Sequence, residues 1–193
     1  MVGPLRTRMR FMALLGFLAS LFGAGCKPAA TAPAAPPPEA DVMKGLRTMM
    51  LTTPASKVGI QPSERFPKVF GVVMDLPVSG GHTATIVSMC DGHASLYTTS
   101  TFGVLGGIGH ESVRLASTNF VTTAQPHYDS ATPTTNYPYP APDHVRFYLL
   151  GFDGVRVIDA EISAAQKRGG QYSAMWEAGQ GVLTELRLLT QKK

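Results

Sequence analysis

Apolar positions recur at helical spacing in three stretches of the chain. Val42, Leu46, Met49 and Met50 share one face of a helix predicted over 42–53, with Asp41 as its N-cap and Pro54 as its stop. Val113, Ala116, Phe120, Val121 and Ala124 mark a second helix over 111–125, closed by Pro126. The third stripe is the longest, with Tyr172, Met175, Trp176, Gly179, Val182, Leu183, Leu186 and Leu189 spaced over 172–189. Between the helices the pattern changes. Residues 68–76 (KVFGVVMDL) are almost continuously apolar and β-branched, which suits a central buried strand. Two Asp-Gly pairs, Asp91-Gly92 and Asp153-Gly154, each sit between apolar runs and predict hairpins 82–90/93–100 and 144–152/155–162 with tight type I′ turns.

The second hairpin carries its own register. Counting back from its turn pairs Leu149 with Ile158, Phe147 with Ala160 and Val145 with Ile162 on one face, and Tyr148 with Asp159 and Arg146 with Glu161 on the other. One face is therefore expected to be buried and the other wetter. The order is helix, three strands, helix, two strands, helix. It predicts a single α+β domain over 41–193, with a five-stranded antiparallel sheet packed by three helices. That order resembles the profilin-like and roadblock-like domains, an analogy of element order alone.

Charge and composition change the picture at the N-terminus. The chain has 193 residues, 17 Lys and Arg against 13 Asp and Glu, and a formal charge of +4. Arg6, Arg8 and Arg10 precede an uncharged run, residues 11–22, that ends in Gly23-Ala24-Gly25-Cys26. A basic start, a short apolar run and small residues describe a secretory signal over 1–25. The run is shorter than the roughly 20 residues a membrane-spanning helix needs. Removing 1–25 takes away three arginines and no acid, leaving 14 basic and 13 acidic residues and a formal charge of +1. A nucleic-acid partner, which needs a clustered basic footprint, is thereby excluded from expectation.

Ala24-Gly25-Cys26 resembles the lipobox of bacterial lipoproteins, although Gly23 stands where Leu, Val or Ile is usual. The resemblance implies diacylation of Cys26, palmitate among the acyl chains, and a membrane-attached envelope protein. Lys27 at the following position is similar to lipoproteins sent to an outer membrane. The departure at Gly23 leaves ordinary cleavage to a secreted, soluble product as the alternative. Residues 26–40 then form the lipidated cysteine and a Pro/Ala tether with five prolines. At about 3.1 Å per residue such a segment reaches roughly 40 Å.

Candidate chemistry is sparse. Cys90 and His93 flank the first Asp-Gly turn and are expected directly opposite one another, where a thiol beside an imidazole begins a nucleophile or half a metal site. The glycine-rich turn Gly103-Val-Leu-Gly106-Gly107-Ile-Gly109-His110-Glu111 enters a helix, so Gly106, Gly107, Gly109 and His110 are candidates for holding an anion. Close packing of backbone is the alternative use of those glycines. The long segment 126–143 carries Tyr128, Tyr137 and Tyr139 among five prolines and is the candidate contact surface. A D-G-x-A-S-L-Y stretch at 91–97, followed by the glycine turn and His-Glu, resembles uncharacterised bacterial proteins, which carry no function over. No cofactor and no metal are expected. The leading expectation is a non-enzymatic binding module tethered to a membrane, contacting an envelope protein or a small ligand. The alternatives are a thiol-dependent hydrolase or transferase at Cys90/His93, and a sensor of small anionic ligands at 103–110.

Overall fold

The computed structural model describes residues 39–191. The signal, Cys26 and the tether as far as residue 38 lie outside them, whereas Glu39 and Ala40, expected at the end of the tether, already belong to the first helix, so Asp41 is inside that helix and not its N-cap. The fold is α+β with an antiparallel sheet, as the alternation of periods predicts, but the sheet has seven strands rather than five. Its strands are β1 (Val69–Val78), β2 (His82–Met89), β3 (Ala94–Thr98), β4 (Gly103–Val104), β5 (Thr132–Pro133), β6 (His144–Gly151) and β7 (Gly154–Glu161). Their order is β4-β3-β2-β1-β6-β7-β5. The two additional strands are two-residue pieces at the edges, too short to leave a period-2 pattern. Among the described residues there are four α-helices rather than three: α1 (Glu39–Thr52), α2 (Glu111–Ala124), α3 (Ile162–Gln166) and α4 (Ser173–Gln191). The five-residue α3 begins where the second hairpin was expected to end in strand.

β1 occupies the middle of the sheet, and eight consecutive residues of it are buried. Side chains alternate across it. Val72 and Met74 join a core under α2 and α4, with Ile86, Phe120, Phe147, Leu149, Val182 and Leu186. Phe70 and Val73 join a second core under α1, with Leu51, Val87, Met89, Tyr148 and Leu150. The sheet thus has apolar cores on both faces, and the expected wetter face is covered by α1. On the opposite side Gly179 of α4 makes room for the end of the Met74 side chain from β1, whose Sδ would lie 2.7 Å from a Cβ there.

Three local expectations are corrected. The stripe on α1 is turned by about one residue. Arg47 and Leu51 are buried and Met43, Leu46 and Met50 partly so, while Val42 and Met49 are 41% and 51% exposed. A charged residue in the centre of the packed face hid its true phase. The second hairpin is shifted by two residues, because its loop is Phe152-Asp153 and Gly151 pairs with Gly154. Phe147 therefore opposes Ile158, and Arg146 opposes Asp159 instead of Glu161. A slip of two keeps every side chain on its face, so the predicted faces survive while the partners do not. The first hairpin has a three-residue loop, Cys90-Asp91-Gly92, with Ser88 paired to Ala94. Gly92 lies at φ +93°, and its N–H donates to Met89 O at 3.0 Å. In both turns the aspartate is not at positive φ, which a type I′ turn requires of both central residues.

Candidate functional site

The three-residue loop decides the fate of the Cys90–His93 pair. Met89, not Cys90, stands across from His93, with its N–H on His93 O at 2.8 Å. The Cys90 N–H donates to Phe70 O at 2.8 Å, and the half-buried thiol packs between the two cores. Burial, and then the neighbouring Asp91 carboxylate, push the thiol pKa up. That is the wrong direction for a nucleophilic thiolate. The imidazole turns instead to its own loop, where His93 Nδ1 lies 2.9 Å from Asp91 Oδ2 and the His93 N–H donates to Asp91 Oδ1 at 3.0 Å. Among the described residues, no three His, Cys, Asp or Glu side chains group to hold a metal.

In the glycine turn, residues 107–109 form a single 3₁₀ turn, and Gly106 takes φ +74°. Gly107 is buried, and a Cβ on it would fall 2.7 Å from Val113 Cγ1 and 2.9 Å from Leu186 Cδ2. Close approach of backbone to two helices is what this glycine provides. Gly106, Gly109 and His110 are exposed, and Glu111 stands at the start of α2, where it disfavours an anion. The grooves described below are lined by none of these residues.

The tyrosines of 126–143 fold back on their own domain. Tyr128 is buried, with its hydroxyl donating to Asp153 and, at 3.0 Å, lying near Gly154 O. Burial and the Asp153 hydrogen bond push its pKa up to about 12. The Tyr137 ring meets Tyr148 edge-on at 5.7 Å, and Arg47 lies over the Tyr139 ring at 4.2 Å. Tyr137 and Tyr139 remain half-exposed beside α1, where they form walls of grooves.

Beneath α1 lies a polar cluster that the sequence reading passed over. Arg47 Nε donates to Asp75 Oδ2 at 2.9 Å, and Arg47 Nη1 donates to Tyr137 O at 2.9 Å. The Thr85 hydroxyl donates to the other carboxylate oxygen at 2.5 Å. Asp75 is fully buried, so burial pushes its pKa up against the pull of Arg47 and Thr85. One guanidinium thus ties α1, β1 and the 134–143 segment together. Two lone charges in apolar patterns, Arg47 in a helix stripe and Asp75 in a buried strand, were the available signal. Further along the same segment, Tyr148 Oη and Arg146 Nη1 both donate to Pro138 O, at 2.6 and 3.0 Å. Arg146 Nε reaches Asp159 Oδ2 at 2.7 Å, and His144 Nδ1 lies 2.6 Å from Asp159 Oδ1.

The last contact has a measurable consequence. The hydrogen bond to Asp159 raises the His144 pKa above 6.5. For Asp159, the hydrogen bonds from His144 and Arg146 outweigh burial, and its pKa falls below 3.8. A raised histidine stabilises the fold at low pH and loses that contribution as pH rises through its folded pKa. A depressed aspartate contributes above its unfolded pKa and loses the effect as pH falls. The pair therefore works between about pH 4 and 6.5 and fades on both sides. In an NMR titration His144 is expected to have its midpoint above 6.5 and to move back toward 6.5 in Asp159→Asn. An unchanged midpoint in that variant would refute the assignment.

α1 covers its face of the sheet incompletely and leaves grooves on both flanks. The larger, about 730 Å³, runs from Leu51–Pro54 at the end of α1 across Phe70 and Leu150 to the β6–β7 turn. Phe152, Val155 and Tyr137 extend its apolar floor, Thr52, Thr53, Thr134 and Thr135 line its rim, and Asp153 is its one charged residue. The smaller, about 360 Å³, lies between Met50, Val58, Ile60 and the β2–β3 strands. Compared with known proteins, the chain matches no family model, no curated protein and no solved structure, so its functional reading rests on this geometry.

Proposed function

We propose that the chain is an exported, non-enzymatic binding module, tethered to a membrane of the cell envelope by lipid on Cys26, whose ligand site is the larger groove beside α1. The observation that supports the binding reading is the groove itself, with a volume of about 730 Å³, an apolar floor, four threonines on its rim and a single acid. Its size falls within the range of about 300–1,000 Å³ found for small-molecule sites, and its lining follows their pattern of apolar walls with few polar groups. A neutral ligand with an apolar body and a hydrogen-bonding edge fits that lining. The tether reading is supported by Arg6, Arg8 and Arg10, the short apolar run and the small residues before Cys26. The thiol-enzyme alternative has little to support it, given a Cys90 thiol with a raised pKa and a His93 turned to Asp91.

The test is titration with N-phenyl-1-naphthylamine, a neutral probe whose fluorescence rises in apolar surroundings. Saturable binding is expected, weakened about tenfold by Phe152→Ser, a loss of about 1.4 kcal/mol. Phe152 is half-exposed and packs against Phe70 with ring centroids 5.5 Å apart and tilted by 45°, so the variant removes part of the groove floor at the margin of the second core. Absent binding, or equal affinity in the folded variant, would overturn the groove as the site.

A further inference from the structure

We propose that Asp159 is a positioning residue for the larger groove, and that His144 sets it so that the groove holds its ligand more tightly in mildly acidic surroundings. The inference rests on the reading of that groove as the ligand site, and it concerns the wall formed by residues 134–143. Within 135–142 no N–H donates to a backbone carbonyl among the described residues, so the wall hangs from side chains. Arg47 Nη1, from α1, donates to the Tyr137 carbonyl. Arg146 Nη1 and Tyr148 Oη, from β6, donate to the Pro138 carbonyl. Tyr137 itself lines the groove.

Asp159 controls the grip on that wall. Its Oδ2 accepts from Arg146 Nε at 2.7 Å and lies 2.6 Å from Nη2, so the arginine that holds Pro138 is itself held. Its Oδ1 lies 2.6 Å from Nδ1 of His144, the residue where the segment enters β6. Between Pro138 and His144 every second residue is proline, at 138, 140 and 142. Each proline fixes its own φ and keeps the residue before it extended, so the stretch is a short stiff rod. Its far end is a fixed hinge, because the Ile162 N–H donates to Asp143 O at 2.8 Å. The end beside the groove depends on Arg146, and through it on the orientation of the Asp159 carboxylate.

The charged groups around His144 are Asp143 from the segment, Arg146 from its own strand, and Asp159 and Glu161 from β7. His144 Nε2 lies 3.9 Å from Asp143 Oδ1, and Glu161 is its cross-strand partner. Three acids against one arginine favour the imidazolium, and its pKa is raised. Asp75 stands across from Arg146 on β1, but its oxygens are taken by Arg47 and Thr85. A carboxylate is planar, so an imidazolium on Oδ1 fixes the plane in which Oδ2 faces Arg146. Because the proton is held more tightly with Asp159 in this position, protonation in turn favours the position. As pH rises through the His144 pKa the ion pair is lost, and Arg146 alone orients the carboxylate. Both side chains are partly exposed, so the effect on the wall is a few-fold. No histidine lines the groove, so a pH effect on a neutral ligand has to arrive through the wall.

The test is titration of the full chain with N-phenyl-1-naphthylamine at about pH 5.5 and about pH 8.5, on either side of the imidazole. Binding about two- to threefold tighter at the lower pH is expected. His144→Gln carries no proton charge and should bind equally at both, at the native level of the higher pH. Asp159→Asn lies outside the groove, yet it should also lose the pH difference and bind more weakly than the native chain at the lower pH. The Tyr137 ring, edge-on to Tyr148, reports the wall without any probe. Its NMR signals should move with the His144 midpoint and stay still in His144→Gln. Equal affinity at both pH values in the native chain would overturn the inference, as would a pH difference that persists in His144→Gln. Failure of the groove reading looks different: no saturable binding at either pH, with the Tyr137 titration intact.

Discussion

Arg47→Leu is expected to cost about 3–5 kcal/mol of folding stability in urea denaturation, because it strands a buried carboxylate. Asp75 is fully buried, and its remaining partner in the structure would be the Thr85 hydroxyl. The guanidinium also closes the Tyr137 carbonyl, 2.9 Å from Nη1, so the loss extends to the segment that walls the larger groove. At about 2–4 °C per kcal/mol for a domain of this size, the melting temperature should fall by roughly 10 °C. Replacing both partners by apolar residues, as Arg47→Met with Asp75→Leu, should recover most of the stability, since a buried pair often does no better than packed hydrocarbon. The double variant should nonetheless bind the naphthylamine probe more weakly than the native chain, because Tyr137 has lost its tie. A single variant that loses less than about 1 kcal/mol would place the pair among ordinary surface bridges.

Gly151→Ala is the second large effect. A methyl group at this position would overlap the Tyr128 phenol, which is buried and cannot easily swing aside. Its hydroxyl engages Asp153 and the Gly154 carbonyl, and Arg156 lies over the ring at 4.7 Å. Overpacking of this kind costs about 1–3 kcal/mol and sometimes more. The upper end is expected here, because the obstacle is a pinned aromatic ring and not the end of a flexible chain. Tyr128→Ala is itself destabilising, but adding Gly151→Ala to it should cost little further. The cycle should therefore give a coupling within about 0.5–3 kcal/mol. Strict additivity would mean that the ring and the glycine do not compete for the same space.

These two sites show where the sequence was readable. Stripes long enough to average over single residues, as in α4, located their helix and its buried face, with Met175, Val182 and Leu186 fully inside. Faces in the second hairpin were right because a slip of two preserves them, whereas the cross-strand partners depended on a two-residue turn that sits one residue earlier than assumed. In the first hairpin Gly92 took the positive φ and left Asp91 in the loop, and this moved Cys90 away from His93's partner position. Arg47 and Asp75 were illegible one at a time. Each reads as an exception to an apolar pattern, and only their meeting across 28 residues explains both. The same holds for the groove beside α1, assembled from Leu51, Phe70, Tyr137 and Phe152, four segments that no local period connects.

The two short edge strands bear on crowding. A sheet ordinarily ends in a row of unpaired amides and carbonyls that can recruit a strand from another molecule. Here β4 contributes two residues at one margin, and β5 contributes two at the other, one of them Pro133, which has no N–H to offer. Tethered to a membrane plane as proposed, copies of the chain would meet at high local concentration. Pro133 blunts its margin beside Arg156 and Val157 alone, and residues 158–161 of β7 lie beyond the two residues that β5 covers, so that stretch is where an added strand would have to pair.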